Sequence, residues 1–259
     1  MLAVTESGSG QPLVLLHGWG LHSGVWQSCL LELEKDFHCY RVDMLGYGDS
    51  QDNDLLPFSL ENMREALSKV INSIDSNEIT LLGWSLGGLV AIDYLSHYSD
   101  KVKKLVLVAS NASFCQQPGW LAAMESSVLE NFSQQLEKDY QKTVDKFLAL
   151  QMFGMDNYKM ALKVLKQSIA DRAEPSLSSL REGLQVLRNA DLRMALSKLK
   201  QAVLIIMGSH DRLVPCQASS NMQLLLSSAM IQVIDGAGHA PFISHPDEFL
   251  KALGEFSKE

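Results

Sequence analysis

The chain has 259 residues, nearly half of them apolar, with 30 acidic against 22 basic side chains and a formal net charge of −8. Length and apolar content suffice for one sizeable core plus an insertion, and the acidic balance argues against nucleic acid or anionic membrane as partners. No run of about 18 apolar residues is available to span a bilayer, and residues 1–7 lack the basic and apolar regions of a signal peptide.

Strands are expected at residues 12–16, 37–42, 79–83, 104–109, 203–207 and 230–235, separated by helices such as 59–73, 86–97 and 245–257. Nearly continuous aliphatic runs, for instance Lys104-Leu105-Val106-Leu107-Val108-Ala109, suit strands buried on both faces of a parallel sheet. The first strand ends in His17-Gly18-Trp19-Gly20. The second runs into a glycine-rich loop, Asp43-Met44-Leu45-Gly46-Tyr47-Gly48-Asp49-Ser50, expected to play a structural part beside the site.

The third strand leads into Gly83-Trp84-Ser85-Leu86-Gly87-Gly88, followed by the apolar helix Leu89-Val90-Ala91-Ile92-Asp93-Tyr94-Leu95. This is G-x-S-x-G, a sharp strand-to-helix turn that exposes a serine hydroxyl above the sheet. Side chains on Gly83 and Gly87 would collide across so tight a turn. Serine needs a base and a group that orients the base. Asp211, in Gly208-Ser209-His210-Asp211-Arg212, and His239, in Gly236-Ala237-Gly238-His239-Ala240, each follow a later strand. The order Ser, Asp, His is that of the α/β-hydrolase fold. The expected fold class is therefore α/β, a mostly parallel sheet with helices on both faces. Singly, each residue reads as an ordinary loop residue; together they are an improbable coincidence. Asp235 and Asp191 compete for the orienter, His210 reads as a loop side chain, and His245 as a residue that starts the last helix. Oxyanion donors are expected at the amides of Leu86 and Trp19, with the Trp19 indole walling the acyl pocket.

Between residues 110 and about 190 the pattern turns helical: Leu129, Phe132, Leu136, Tyr140 and Phe147 keep helical spacing, as do Tyr158, Leu162, Leu165 and Ile169. The expected organisation is a core of residues 1–110 and 190–259 with a helical cap at 111–189, which builds the substrate pocket. Cys29, Cys39, Cys115 and Cys216 show neither metal-ligand spacing nor a disulfide framework and read as reduced, mostly buried thiols in a cytoplasmic protein. With no phosphate loop or dinucleotide fingerprint, no cofactor and no metal is expected.

His17-Gly18-Trp19-Gly20-Leu21, Leu82-Gly83-Trp84-Ser85-Leu86-Gly87-Gly88-Leu89-Val90-Ala91, Thr143-Val144-Asp145-Lys146-Phe147-Leu148-Ala149-Leu150-Gln151 and Ala237-Gly238-His239-Ala240-Pro241-Phe242-Ile243-Ser244-His245-Pro246 resemble the pimeloyl-[acyl-carrier protein] methyl ester esterases of biotin synthesis, the BioH family. The likeness spans nearly the whole chain, cap included. It implies Ser85 as nucleophile, His239 as base and Asp211 as orienter. It also implies substrate contacts from Trp19, Ser85, Leu86, His239, Phe147, Leu148, Ala149, Leu150 and Gln151. Phe147, Leu148 and Leu150 are candidates for the acyl methylenes and equally for cap core. The implied partner is acyl-carrier protein bearing the pimeloyl methyl ester; the protein itself is expected to be a monomer.

That family docks its acidic carrier on basic cap residues, arginines in other members. The matching positions here are Lys142, Lys146, Lys159 and Lys163, which keep charge without the bidentate guanidinium. Like charges four residues apart are unfavourable in a helix, which hints at an external partner; a solvated face neutralised by Asp139, Asp145 and Asp156 is the competing account. Two rivals to the esterase remain at this stage: a broad short-acyl carboxylesterase or carbon–carbon bond hydrolase of the same fold, and a slow-turnover ligand-binding receptor.

Overall fold

Aliphatic runs that no solvent-facing strand would tolerate build the centre of the molecule. In the computed structural model, which describes residues 1–53, 56–98, 100–152, 158–172 and 174–258, seven strands form one sheet in the order β1-β3-β2-β4-β5-β6-β7. They are β1 (Val4–Gly8), β2 (Gln11–Leu16), β3 (Phe37–Val42), β4 (Ile79–Trp84), β5 (Val102–Val108), β6 (Ala202–Gly208) and β7 (Met230–Ile234). All neighbours run parallel except β1, which pairs antiparallel with β3. β4 is buried along its whole length, as are the last four residues of β2 and β5.

The aliphatic signal does not extend to β1. Val-Thr-Glu-Ser-Gly is a half-exposed edge strand, and with one side in water it needs no apolar run. The chain leaves β2 for β3 on one side and returns across it to β4 on the other. The carboxyl ends of β2 and β4 thus flank a point where the connections diverge, the usual place for a site in an open α/β sheet.

Helices cover the sheet. They are α1 (Leu30–Leu33), α2 (Leu60–Ser73), α3 (Leu86–His97), α4 (Ser126–Lys138), α5 (Tyr140–Gln151), α6 (Tyr158–Ser168), α7 (Leu177–Asn189), α8 (Arg193–Leu196), α9 (Gln217–Leu225), α10 (Pro241–Ser244) and α11 (Pro246–Ser257). α2 buries one stripe, Met63, Leu67, Val70 and Ile71, and starts where the Ser59 hydroxyl accepts the Asn62 amide. α3 is buried nearly all round, so it lies between the sheet and other helices. Among the described residues no helix is long and apolar enough to cross a membrane. Cys29, Cys39 and Cys115 are buried and Cys216 half-buried, all as free thiols.

Among the described residues five helices, α4 to α8, separate β5 from β6 in the chain, and the first four of them form one helical segment. The spacing of Leu129, Phe132, Leu136, Tyr140 and Phe147 continues across a break at Asp139, which ends α4 and caps α5 by accepting the Lys142 amide at 3.1 Å. Several bonds tie the segment to loops of the sheet domain. The Trp19 indole donates to the Leu180 carbonyl at 2.8 Å, and the Tyr47 hydroxyl donates to the Ser179 carbonyl at 3.1 Å. Arg172 donates to Asp43 at 2.5 Å and to the Ser23 hydroxyl at 2.9 Å.

Candidate active site

β4 delivers Ser85 in a backbone conformation, φ 55 and ψ −117, that L residues avoid. Its neighbours hold it there. The Ser85 amide donates to Val108 and its carbonyl accepts both the Gly88 amide, at 2.9 Å, and the Ser110 hydroxyl, at 2.8 Å. A Cβ on Gly83 would lie 2.4 Å from the Gly87 carbonyl oxygen, and one on Gly87 would lie 2.6 Å from that of Leu16. The strain at Ser85 persists because the surroundings over-determine it.

The loop after β7 brings His239 to the serine, with Nε2 2.9 Å from Ser85 Oγ and Nδ1 2.8 Å from Asp211 Oδ2. Asp211 follows β6, and its other oxygen accepts the amides of Leu213 and Val214 at 2.8 and 3.0 Å. All three side chains are buried. The network assigns the proton to Nδ1, facing a carboxylate that only accepts, which leaves the Nε2 lone pair toward the hydroxyl. The competing residues are engaged elsewhere. Asp235 accepts from Ser209, Asp191 pairs with Arg193 at 2.7 Å, and the His210 amide donates to Ala237. His245 occupies the residue before α11, yet its ring does not cap the helix and instead meets the Ser244 hydroxyl at 2.9 Å.

The loop after β2 abuts the serine: a Cβ on Gly18 would be 3.4 Å from Ser85 Cβ. Neither the Trp19 nor the Leu86 amide donates to an acceptor among the described residues, and Leu86 opens α3, where amides lack helical partners. His17, which carried no role in the sequence, orients this loop. Its Nδ1 donates to the Gly18 carbonyl at 2.8 Å and its Nε2 accepts the Met44 amide at 3.0 Å. Burial pulls the imidazole down to about 4, so it is neutral near pH 7, as that pair of bonds requires. Across a trans peptide the N–H points opposite to the carbonyl. Tying down the Gly18 carbonyl therefore fixes the direction of the Trp19 amide.

The glycine-rich loop after β3 is held through Asp43, whose oxygens accept the amides of Ser23 and Asp49 at 2.7 and 2.9 Å. Burial raises this carboxyl, but the field of His17 and the bonds from Ser23 and Asp49 outweigh it and hold the group below the ordinary range. Arg172 completes the junction from the helical segment. An isolated arginine in a helical stretch offered no sequence signal for this.

On α5, Phe147 sets its ring edge-on against Trp19 with centroids 4.6 Å apart, and packs on Phe132 at 5.7 Å. Leu148 lines a cavity of about 270 Å³ together with Gly20, His22, Val144 and Arg172. Ala149 and Leu150 are half-buried, Leu150 packed against the common core. Gln151 is buried; its main-chain carbonyl accepts the His239 amide at 3.0 Å, and its side-chain oxygen has no partner among the described residues.

The lysines fall on two adjacent helices, Lys142 and Lys146 on α5, Lys159 and Lys163 on α6. Lys146 reaches Gln135 at 3.3 Å and lies 5.9 Å over the Phe132 ring. The carboxylates offered as neutralising partners are otherwise engaged: Asp139 caps α5, and Asp145 pairs with Lys166 at 2.5 Å. Asp156 lies outside the described residues. Lys159, Leu162, Lys163 and Lys166 line an open groove of about 400 Å³, in which Lys166 carries its own counter-charge, Asp145. Among the described residues no three His, Cys, Asp or Glu side chains are grouped to hold a metal ion.

Residues 11–246 match the family model described as the α/β hydrolase fold. The chain is 40% identical over 253 residues to the pimeloyl-[acyl-carrier protein] methyl ester esterase of Photobacterium profundum, covering 97% of this chain and 96% of that one. It is 37% identical to the protein of the same name from Nitrosomonas europaea, over 96% of this chain and 97% of the relative. Among solved structures, an esterase from Exiguobacterium antarcticum superposes with a TM-score of 0.91 at 26% identity, covering 100% of this chain and 96% of that one.

Proposed function

The chain belongs to the pimeloyl-[acyl-carrier protein] methyl ester esterases, enzymes of the α/β-hydrolase fold, and we propose that it hydrolyses the methyl ester of pimeloyl-[acyl-carrier protein] through Ser85, releasing methanol and leaving pimeloyl-[acyl-carrier protein] for biotin synthesis. The observation that carries the chemistry is the buried line from Ser85 Oγ through His239 to Asp211, with hydrogen bonds of 2.9 and 2.8 Å. The substrate is that of the relatives, whose likeness runs through α4 to α7 as well as through the sheet.

His239 Nε2 takes the Ser85 proton as Oγ bonds to the ester carbonyl carbon. Negative charge gathers on the carbonyl oxygen, where the Trp19 and Leu86 amides donate to it; one such donor contributes roughly 3 kcal/mol to transition-state stabilisation. Asp211 keeps the Nδ1–H tautomer and stabilises the transient imidazolium. The intermediate collapses with loss of methoxide, which leaves as methanol with the proton from His239. Water, deprotonated by His239, then attacks the acyl-enzyme; the pimeloyl carboxylate departs and Ser85 regains its proton.

The segment 111–189 acts as a cap over this line, with Phe147 and Leu148 beside the acyl chain; each buried methylene adds about 0.8 kcal/mol. The Gln151 side-chain oxygen, buried and without a partner among the described residues, is available to accept a bond from substrate. Carrier protein docks on Lys142, Lys146, Lys159 and Lys163. Among the described residues neither Asp139 nor Asp145 forms an ion pair with these four lysines, which favours an external acidic partner over a self-neutralised face. Purified protein offered the methyl ester of pimeloyl carrier protein should release methanol, and Ser85→Ala should not. Residual turnover by that variant would refute the assignment.

A further inference from the structure

Trp84 stands next to the nucleophile in sequence, yet its side chain serves the base. The indole is fully buried, and its N–H donates to the main-chain carbonyl of His239 at 2.7 Å. The His239 amide in turn donates at 3.0 Å to the carbonyl of Gln151, the last residue of α5. Helices leave their final carbonyls without intrahelical partners, so this acceptor is free to take a bond from outside. Both main-chain polar groups of His239 are thus held by remote elements, one on β4 and one on the helical segment, while both ring nitrogens are held by Asp211 and Ser85.

The indole itself has little room to move. It packs at steep angles against Trp26, with centroids 6.3 Å apart, and Phe242, at 5.1 Å, and a Cβ on Gly18 would come within 3.2 Å of its ring. A space-filling aromatic would not need to be tryptophan, because phenylalanine fills a core without bringing a polar atom that must be paired. Here the N–H has one acceptor, the carbonyl of the residue whose ring must reach two partners at once. Were that carbonyl left unpaired, the loop would turn to satisfy it, and the Cα–Cβ bond of His239 would turn with it.

We propose that Trp84 is a positioning residue for the base: its indole N–H and the Gln151 carbonyl clamp the main chain of His239 so that the imidazole meets Ser85 and Asp211 together. The inference rests on Ser85 and His239 acting as nucleophile and base. Its test uses the full chain, a small soluble p-nitrophenyl ester, and titration of active sites with a fluorophosphonate so that only folded, reactive enzyme is counted. Trp84→Phe removes the donor, Trp84→benzothienylalanine removes it while keeping the bicyclic shape, and Trp84→5-fluorotryptophan keeps it. The first two should lower kcat per titrated site about tenfold, equivalent to about 1.4 kcal/mol, with KM changed less than about twofold, while 5-fluorotryptophan stays near the parent. Parent-like kcat in the benzothienylalanine variant overturns the clamp, as does an equal fall with 5-fluorotryptophan, since packing alone would then explain the loss. If the parent neither labels nor turns over, or if Ser85→Ala retains activity, the esterase reading itself fails.

Discussion

The sheet domain and the helical segment α4 to α7 contribute to one site in different ways. Ser85, Asp211 and His239 each follow a strand of a single parallel sheet, and every polar atom of the line is buried and paired. The helices between β5 and β6 carry Phe147 and Leu148 on half-apolar faces, a Gln151 oxygen without a partner among the described residues, and lysines that project outward. Bond-breaking geometry demands rigidity, and strands buried on both faces supply it. The proposed docking of carrier protein would instead use the exposed faces of amphipathic helices. The two regions meet at many points, among them Trp19 on Phe147 and Leu180, Tyr47 on Ser179, Arg172 on Asp43, and the Gln151 carbonyl on His239.

If the division is sound, changes in the sheet domain strike every ester alike, and changes on the helices strike the carrier-bound ester selectively. The largest effect is expected from Asp211→Asn. It presents a donor where the His239 Nδ1–H needs an acceptor, and kcat should fall by about four orders of magnitude on both small and carrier-bound esters. A drop confined to one substrate would break the comparison.

His17 supplies the next effect, on stability. Its folded value of about 4 lies below the ordinary 6.5, so the unfolded chain binds the extra proton first as pH falls. Stability is complete above 6.5 and is lost through the interval down to about 4, by about 3 kcal/mol in all. Denaturant melts of the parent and of His17→Asn across that range should diverge, the variant being the flatter. Parallel curves would show that the imidazole is not held neutral.

On the helical side, Lys142→Glu combined with Lys146→Glu should lower kcat/KM for the carrier-bound ester about tenfold, the mark of roughly 1.4 kcal/mol of lost attraction. A small soluble ester should be unaffected, and the defect should shrink as salt rises. Equal losses on both substrates would count against docking there. The smallest change is expected from Phe147→Leu, which forfeits an edge-to-face contact of about 1 kcal/mol with Trp19. It should raise KM severalfold and leave kcat for a small ester near the parent value. A large fall in kcat would mean that the Trp19 loop depends on the helical segment for its geometry.

Much of this arrangement is legible in the chain. The central strands announce themselves because a strand buried on both faces cannot afford polar residues, and the serine turn does so because Gly83 and Gly87 leave no space for a Cβ. β1 escapes notice because a half-exposed edge strand reads like a loop. The break between α4 and α5 escapes as well, since the apolar spacing runs on past Asp139. His245 does stand at the start of the last helix, where its carbonyl accepts the Phe249 amide at 3.1 Å, while its ring turns to Ser244.

Sequence by itself determined which serine sits on the strained turn, which aspartate and histidine follow later strands, and which stretch is helical. Those properties follow from local sterics and periodicity, which act over a few residues. Tertiary structure alone decided that His17 holds the peptide leading into Trp19, that Arg172 closes on Asp43, and that Trp84 and Gln151 grip the main chain of His239. Trp84 and His239 lie 155 residues apart, and nothing in the local chemistry of an indole or a carbonyl selects its partner. Only the ordering of β2, β4, β6 and β7 in one sheet, with the end of α5 brought to the loop that carries His239, puts such groups within hydrogen-bonding distance.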